Sequence, residues 1–227
     1  MKFVVTAGPT REHLDPVRFL SNPSTGKMGF AIARAAAMRG HEVALVAGPV
    51  SLKTPKDVRR IDVTSAREML AAVEEEMSKA KSGKPTVFVA TAAVADWRPA
   101  KCAARKLKKG QMSGILKLVR NPDILKTVAR RTKTTHSPTH PLTHSPTYLV
   151  GFAAETNDVI AEARRKCREK NLDMIVANDV TEKGSGFGVD TNRVTFVRKD
   201  GSVDRLPLMT KLAVARRIVR ECEDLCP

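Results

Sequence analysis

Apolar and polar positions alternate along the chain with two different periods, which predicts strands and helices in turn. Residues 2–6, 42–47 and 86–91 are short, almost wholly apolar runs, typical of strands that are buried on both faces. Residues 26–39 and 66–79 lie between these runs and have the composition of helices. Strands that alternate with helices at this spacing predict βαβ units around a parallel sheet.

The second half of the chain continues this alternation and ends with a different pattern. Residues 148–152 and 173–177 predict two more buried strands, with a basic helix at 158–170 between them. A β-hairpin is predicted around the Asp-Gly turn at 200–201, followed by a closing helix at 209–225. Because crossovers between parallel strands are right-handed, the predicted fold is an α/β, Rossmann-like, doubly wound and mostly parallel sheet with a C-terminal β-hairpin and helix.

Three shorter elements complete the prediction. Residues 58–63 and 115–119 are predicted as strands. A helix is predicted to start with Pro122 as its first helical residue and to end near Arg131, because proline is favoured at that position.

The length of 227 residues fits one domain that extends over residues 1–227. Residues 132–147 are rich in Thr, His, Ser and Pro. Such a tract cannot pack a core, so a flexible low-complexity insertion is predicted there. His136, His140 and His144 have the spacing of a helical metal site, but the prolines between them exclude that helix. The metal ligands of the protein are therefore left unknown.

The net charge of the chain limits the classes of ligand that it is expected to bind. There are 40 Lys and Arg residues against 24 Asp and Glu residues, a net charge of +16, which favours anionic partners. Residues 101–133 alone contain eleven basic residues and one acidic residue. Aromatic residues make up only 4% of the chain, whereas single-strand binders present aromatic stacking platforms. Small phosphorylated ligands are therefore favoured over nucleic acid.

The apolar runs and the cysteines bear on the location of the protein. No apolar run is long enough to span a bilayer, and the N-terminus lacks the apolar core of a signal peptide. The four cysteines are scattered, which is typical of reduced thiols rather than of a disulfide framework. A cytoplasmic protein with no membrane partner is expected.

The segment 21–29, Ser-Asn-Pro-Ser-Thr-Gly-Lys-Met-Gly, opens the first predicted helix. Its backbone N–H groups and the positive end of the helix dipole would lie at the carboxyl edge of the sheet, where anions bind. The residues predicted to bind the phosphate or carboxylate group of a ligand are Ser24, Thr25, Gly26 and Lys27. The alternative is an ordinary helix start that packs through Gly29.

A nicotinamide cofactor is disfavoured by the same region. The loop before the first helix is too long for the Gly-x-Gly-x-x-Gly fingerprint, and Gly48-Pro49 follows the second strand where an acid would bind the NAD ribose. An NAD(P)-binding Rossmann oxidoreductase stays as the alternative enzyme class. A basic nucleic-acid-binding module is the alternative suggested by charge.

Three further segments contain residues suited to a nucleotide. Residues 90–99 end a strand with small side chains and then offer Asp96, which is suited to ribose hydroxyls or to water-mediated Mg²⁺ binding. The Lys-Leu-Lys-Lys run at 106–109 is either a flap over a polyphosphate or a solvated charge run. Lys166 and Lys170 share a helix face at i, i+4, either to grip a triphosphate or as surface lysines.

In their order along the chain, eight motifs resemble those of the bacterial phosphopantothenate–cysteine ligases, also called phosphopantothenoylcysteine synthetases. The motifs lie at residues 6–12, 15–18, 21–29, 92–96, 106–109, 121–124, 151–157 and 177–180. They cover nearly the whole chain apart from the tract at 132–147. Each motif is moderately specific by itself, whereas eight in the family's order are very specific.

This resemblance implies an enzyme of coenzyme A biosynthesis. Members of the family ligate 4′-phosphopantothenate to L-cysteine through an acyl-cytidylate intermediate, and they release pyrophosphate and CMP. CTP as co-substrate, Mg²⁺ as cofactor and a homodimer are implied for this chain. No protein nucleophile is required, because the carboxylate of the substrate attacks the nucleotide.

A second enzyme is implied beside the ligase. Many bacterial members carry a fused, flavin-dependent phosphopantothenoylcysteine decarboxylase domain before the ligase. Because Met1 lies almost at the first predicted strand, this sequence is expected to lack that domain. The chain is then either a stand-alone ligase, with a separate decarboxylase as a partner, or a domain excised from a longer protein.

The resemblance also assigns roles to residues. Asn22 would polarise or orient the acyl carbonyl in the second half-reaction, Lys106 would serve nucleotide binding and formation of the intermediate, and Arg18 would assist substrate binding. These three are the implied catalytic residues. The implied nucleotide-binding residues are Ala92, Asp96, Lys106, Pro122, Asp123, Ile124, Leu125, Phe152, Lys166 and Lys170. Eukaryotic relatives use ATP, so the choice of CTP rests on likeness to the bacterial members.

Overall fold

The computed structural model describes residues 1–80, 83–108, 110, 114–134 and 146–226. In chain order the strands are β1 (Lys2–Ala7), β2 (Arg11–His13), β3 (Phe19–Ser21), β4 (Glu42–Ala47), β5 (Arg59–Asp62), β6 (Thr86–Ala90), β7 (Trp97–Pro99), β8 (Leu118–Arg120), β9 (Thr147–Glu155), β10 (Met174–Asp179), β11 (Thr191–Asn192), β12 (Thr195–Arg198), β13 (Val203–Arg205) and β14 (Met209–Thr210). The helices are α1 (Lys27–Met38), α2 (Ala66–Ser78), α3 (Ile124–Thr134), α4 (Val159–Glu169) and α5 (Lys211–Asp224).

Eight strands form the central sheet in the order β13-β12-β10-β9-β6-β1-β4-β5. Strands β5, β4, β1, β6, β9 and β10 are parallel, and β12 and β13 continue the sheet as an antiparallel hairpin. This topology confirms the predicted doubly wound α/β fold with its C-terminal hairpin and helix. The chain runs outward from β1 to β5 and then crosses to β6 on the other side of β1. A switch of this kind opens a crevice at the carboxyl ends of the strands.

Helices cover both faces of the sheet, which explains the nearly continuous apolar runs in the sequence. Phe3 and Val5 of β1 contribute to the core against α1 and α5, whereas Val4 belongs to the core under α2, α3 and α4. All three side chains are fully buried. Because successive strand residues alternate between faces, a strand covered on both sides needs apolar residues at every position. No helix in the described part of the chain is long and apolar enough to cross a membrane.

Two of the predicted elements differ in the structure. The strand predicted at 115–119 is β8, which begins at Leu118 and pairs with β7 outside the central sheet. The helix predicted to start at Pro122 starts at Ile124, because the Asp123 carboxylate accepts a hydrogen bond from the Lys126 N–H, at 2.9 Å, as an N-cap does. The β2–β3 hairpin within the long loop after β1 was not predicted.

Part of the predicted insertion lies outside the described residues. This holds for residues 135–145, which include the three histidines His136, His140 and His144, and for Lys109 of the Lys-Leu-Lys-Lys run.

Glu76 on α2 is a buried carboxylate held by three basic residues. It lies 3.4 Å from the Lys2 ammonium and 2.9 Å from the Lys79 ammonium, and it also pairs with Arg59. Burial by itself raises the pKa of Glu76, but hydrogen bonds from Lys79 and Arg59 outweigh it, so the pKa lies below its ordinary value. The cluster fixes α2 against the start of β1.

Glu76→Gln should lower the free energy of unfolding by about 3–5 kcal/mol, because the buried Lys2 ammonium loses its charged partner. Since folding depresses the pKa of Glu76, its stabilising effect is present above the ordinary glutamate value of 4.5 and is lost as the pH falls through the folded pKa. Urea unfolding at neutral and acidic pH measures both effects. The control is Glu75→Gln, whose carboxylate is exposed; equal losses in the two variants would refute the buried-pair account.

Candidate active site

Two adjoining cavities lie at the carboxyl ends of the central parallel strands, beside the switch point. The larger has a volume of about 480 Å³ and the smaller of about 140 Å³. The residues that line both are Ala92, Ala93, Phe152, Ala154, Val180 and Phe187. Because they share these walls, the cavities form one site with two parts, called here the larger and the smaller compartment.

Hydrogen bonds between two loops hold the floor of this site. The loop after β6 donates from the Ala93 N–H to the Gly8 carbonyl at 2.9 Å, and from the Ala95 N–H to the Thr10 hydroxyl at 3.0 Å. Gly29 allows α1 to approach β1, since a Cβ there would lie 2.5 Å from the Cβ of Ala7. Gly29 is therefore required for the close packing of α1 against β1 at the site.

The smaller compartment is built around the start of α1. Gly26 precedes the helix with a φ of 76°, and within the described residues the helix start has no capping side-chain hydrogen bond. The first backbone N–H groups of α1 are thus available to a ligand. All four residues predicted to bind an anion line this compartment, and the described residues around it include no Asp or Glu. The arrangement suits an anion.

Two lysines reach the smaller compartment from different parts of the chain. The Lys27 ammonium donates to the Gly188 carbonyl and to the Asp190 carboxylate, both at 2.8 Å. Lys211, the first residue of α5, is only 7% exposed and donates to the Gly186 carbonyl at 3.0 Å. Burial and the nearby Lys27 lower the pKa of Lys211.

Several lining residues of the smaller compartment were not predicted. Phe187, Asn192 and Lys211 lie outside every segment that the sequence analysis singled out. Thr91 and Asn178 lie in two of those segments, 90–99 and 177–180, but no role was assigned to them. For Lys211 the sequence did contain a signal, because a lysine at the first position of a helix opposes the helix dipole. Phe187 and Asn192 follow β10 in the chain, and nothing in their local sequence distinguishes them from ordinary turn residues.

The larger compartment brings together eight of the ten residues assigned to the nucleotide. These are Ala92, Asp96, Pro122, Asp123, Ile124, Leu125, Phe152 and Lys170. Asn121 joins their segments, since its side-chain amide donates to the Ala95 carbonyl and its backbone N–H donates to the Asp96 carbonyl, both at 2.8 Å. Residues from 92 to 170 thus converge on one cavity.

Asp123 and Lys170 form an ion pair at 2.9 Å in the wall of this compartment. Burial raises the pKa of Asp123, but the hydrogen bond from the Lys126 N–H and the nearby Lys170 ammonium together have a larger, opposite effect. The pKa of Asp123 therefore lies below its ordinary value. The pair is charged at neutral pH. Lys166, one helical turn earlier, pairs with Glu155 and does not line either compartment. The two lysines expected to grip one triphosphate are therefore held by different carboxylates.

Asn22 lines the larger compartment with its side chain fixed by two backbone carbonyls. Its Nδ2 donates to the carbonyls of Ala93 at 3.1 Å and Val94 at 3.2 Å. Because both partners are acceptors, the nitrogen must face them. The part of the amide left for a ligand is Oδ1, which accepts hydrogen bonds. Asn22 is thus placed to orient a donor rather than to polarise a carbonyl.

Arg18 and Lys106 are brought together outside the lining of the two compartments. Asp15 accepts hydrogen bonds from Arg18 Nη2 at 2.5 Å and from the Leu107 N–H at 3.1 Å. Arg18 Nη2 also donates to the Leu107 carbonyl at 3.0 Å. Lys106 is exposed beside Leu107. The basic segment 101–108 is therefore attached to the turn that carries Arg18.

The donor chemistry of the larger compartment fits a magnesium ion carried by a nucleotide. In the described ranges there is no group of three or more His, Cys, Asp or Glu residues suited to a metal. Mg²⁺ commonly takes one or two carboxylates together with water and substrate phosphates. Asp96 is exposed and lines the compartment, which is the kind of donor such an ion needs.

A third concave surface lies away from the strand ends. It is an open groove of about 880 Å³ between α1, residues 52–57 and the start of α5. Lys27 and Lys211 separate it from the smaller compartment, since they line both. None of the residues assigned to the nucleotide lines this groove.

Comparisons with known proteins agree with the motifs. The model of the DNA/pantothenate metabolism flavoprotein C-terminal domain matches residues 1–225. The coenzyme A biosynthesis bifunctional protein CoaBC of Vibrio cholerae is 47% identical over 96% of this chain, and that of Escherichia coli K12 is 46% identical over 97%. The chain spans about half the length of these curated relatives, 51% in each case.

A solved structure supports the same assignment. The crystal structure of the C-terminal domain of a coenzyme A biosynthesis bifunctional protein CoaBC has a TM-score of 0.78 and 42% sequence identity. The match covers 99% of this chain and 94% of that one. Together these matches confirm the family resemblance drawn from the motifs: the chain belongs to the family of the DNA/pantothenate metabolism flavoprotein C-terminal domain.

Proposed function

We propose that the chain is a phosphopantothenate–cysteine ligase of coenzyme A biosynthesis. The observation that carries the proposal is the two-part site. Eight residues assigned to the nucleotide line the larger compartment, and it opens onto a smaller compartment at the start of α1, whose described lining contains no Asp or Glu. The relatives named as coenzyme A biosynthesis proteins support the same reaction. The product passes to a phosphopantothenoylcysteine decarboxylase, the partner implied by the resemblance.

In the first half-reaction CTP occupies the larger compartment and the phosphate of 4′-phosphopantothenate occupies the smaller one. The substrate carboxylate then lies near the shared wall formed by Ala92 and Ala93. Its oxygen attacks the α-phosphorus, a C–O–P linkage forms, and pyrophosphate leaves. Positioning of the two anions is the main contribution of the protein, because both reacting groups belong to the substrates.

Cationic groups reduce the repulsion between the two polyanions. Lys170 lies in the wall of the larger compartment, and the basic segment 101–108 lies on the hairpin that starts beside Asp96. Mg²⁺, when bound with the nucleotide, neutralises phosphate charge, and Asp96 is the carboxylate proposed to hold it. Lys106 is proposed to act on the nucleotide from this segment.

In the second half-reaction the cysteine amine attacks the acyl carbonyl, the amide C–N bond forms and CMP leaves. Asn22 Oδ1 is proposed to accept a hydrogen bond from that amine and to orient it toward the carbonyl. The two hydrogen bonds from Asn22 Nδ2 to backbone carbonyls hold the side chain in place for this purpose.

Omission of cysteine tests the first half-reaction and the choice of nucleotide. Purified protein with 4′-phosphopantothenate, Mg²⁺ and CTP should release pyrophosphate and form an acyl-cytidylate detectable by its mass. ATP should support less of this reaction. If ATP supports an equal or faster reaction, the preference for CTP is wrong. If neither CTP nor ATP yields pyrophosphate, the proposed chemistry is contradicted.

A homodimer is proposed on the basis of an exposed apolar surface. Val17, Phe19, Trp97 and Leu118 are 39–57% exposed on the β2–β3 and β7–β8 hairpins, which contact each other. A second copy that covers these side chains would remove them from water. Trp97→Glu should shift the sedimenting species from dimer to monomer. Met38→Glu, at another exposed apolar position, should leave the dimer intact; a monomeric wild type would contradict the proposal.

A further inference from the structure

Lys211 has a buried ammonium that forms no salt bridge among the described residues. Only 7% of the residue is exposed, and its ammonium makes one hydrogen bond, to the Gly186 carbonyl. The Asp190 carboxylate is close enough to raise the pKa of Lys211, but it forms its ion pair with Lys27, at 2.8 Å. An ammonium has three N–H donors, so two donors of Lys211 remain for a ligand.

A buried ammonium that forms no salt bridge needs an explanation in this position. Buried charges in proteins are normally paired, because removal from water is costly. The first turn of α5 adds to the cost, since its dipole repels a cation there. Lys27 repels the ammonium as well and contributes to its lowered pKa. All these effects would be reversed by an anion bound next to Lys211.

The residues around Lys211 select the class of anion. The smaller compartment contains the open N-terminus of α1 and the hydroxyls of Ser24 and Thr25, and its described lining has no carboxylate. Backbone N–H groups, hydroxyls and an ammonium together match a phosphate monoester. With about 140 Å³ the compartment has less than a third of the volume of its neighbour, so it is suited to a single phosphate group rather than to a nucleotide.

We infer that Lys211 binds the 4′-phosphate of phosphopantothenate and is the residue by which the enzyme distinguishes the phosphorylated substrate from pantothenate. This inference rests on the proposed function and adds a binding residue from the C-terminal helix. Lys27 contributes less to this contact, because its ammonium already donates two hydrogen bonds, to the Gly188 carbonyl and to the Asp190 carboxylate.

The test compares two substrates that differ only in the phosphate. In the wild-type protein, kcat/KM for 4′-phosphopantothenate should exceed that for pantothenate. Lys211→Met should lower kcat/KM for phosphopantothenate by about 10- to 100-fold, the loss of one charge-assisted hydrogen bond, and should leave the value for pantothenate nearly unchanged. The KM for CTP should stay the same. Lys211→Arg should restore part of the preference.

Controls separate this contact from a structural role. Lys199→Met removes an exposed lysine from the same half of the chain. It should leave kcat/KM unchanged for both substrates. Binding of phosphopantothenate and of pantothenate, measured by protection against thermal unfolding, gives a readout that requires no turnover. In Lys211→Met the extra protection by phosphopantothenate should disappear.

Three outcomes would overturn the inference. The first is an equal loss of kcat/KM for phosphopantothenate and for pantothenate, which would mean that Lys211 has a structural role. The second is a raised KM for CTP alone, which would assign it to the nucleotide phosphates. The third is unchanged discrimination in Lys211→Met. A wild-type protein without ligase activity would contradict the proposed function instead, and the binding measurement would still test the phosphate contact.

Discussion

Asn22→Asp should lower the rate of amide formation by about 100- to 1000-fold, the effect expected when one preorganised hydrogen-bonding group is lost from an active site. The wild-type amide donates to the carbonyls of Ala93 and Val94 at 3.1 and 3.2 Å. A carboxylate has no proton to donate and is repelled by both carbonyls. The side chain therefore loses the orientation that places its oxygen toward the incoming amine.

The first half-reaction should be much less affected, because Asn22 is proposed to act on the amine. With cysteine present, the variant should accumulate the acyl-nucleotide, observed by mass spectrometry and by a burst of pyrophosphate without product. Asn171→Asp is the matched control, at a left-handed position with a φ of 51° that aspartate tolerates. An equal loss of pyrophosphate release and amide formation in Asn22→Asp would contradict the assigned role.

Asp15→Asn should lower kcat/KM for CTP by about 10- to 100-fold, as expected for a misplaced catalytic segment. The fully buried Asp15 carboxylate accepts from the backbone N–H groups of Val17, Arg18 and Leu107, and from two nitrogens of the Arg18 guanidinium. The hydrogen bond with the Arg18 side chain holds the pKa of Asp15 well below its ordinary value. The attachment is thus intact throughout the neutral range and is lost only in strong acid.

An asparagine has one acceptor oxygen and no charge, so it cannot hold Arg18 and the Leu107 N–H together. Besides the kinetic effect, trypsin should cleave faster after the exposed Arg105 and Lys106. Asp62→Asn, at an exposed carboxylate, should change neither the kinetics nor the cleavage. If Asp15→Asn retains wild-type kcat/KM for CTP while cleavage accelerates, the segment around Lys106 has no part in nucleotide use.

The sheet could be predicted because burial on both faces leaves a strong signal in the sequence. The run at 42–47 coincides with β4 as observed, and Gly40 ends the first helix with a φ of 79°. The β2–β3 hairpin and β7 were not predicted, and β8 was predicted to begin three residues too early, because strands of three residues with mixed polarity have no detectable period. The helix start was predicted two residues too early, at Pro122, because the adjacent Asp123 is the N-cap.

The candidate site could be predicted where motifs are continuous in sequence. The segment at 24–27 lines the smaller compartment, and the segment at 121–125 lines the larger one. Lys211 could not be assigned, because its position depends on how α5 packs beside α1, some 180 residues away in the chain. Lys166 was assigned to the nucleotide from its helical spacing with Lys170 and from the family resemblance; its pairing with Glu155 could not be predicted, because it depends on the tertiary position of β9.

The central claim is that this site joins phosphopantothenate to cysteine at the expense of a nucleoside triphosphate. The direct measurement is mass spectrometry of the reaction products formed by the purified chain with 4′-phosphopantothenate, L-cysteine, Mg²⁺ and CTP. Phosphopantothenoylcysteine, CMP and pyrophosphate should appear in equal amounts, and the amide should be absent when cysteine or CTP is omitted. A folded protein that forms no cysteine-dependent amide with either CTP or ATP would contradict the account.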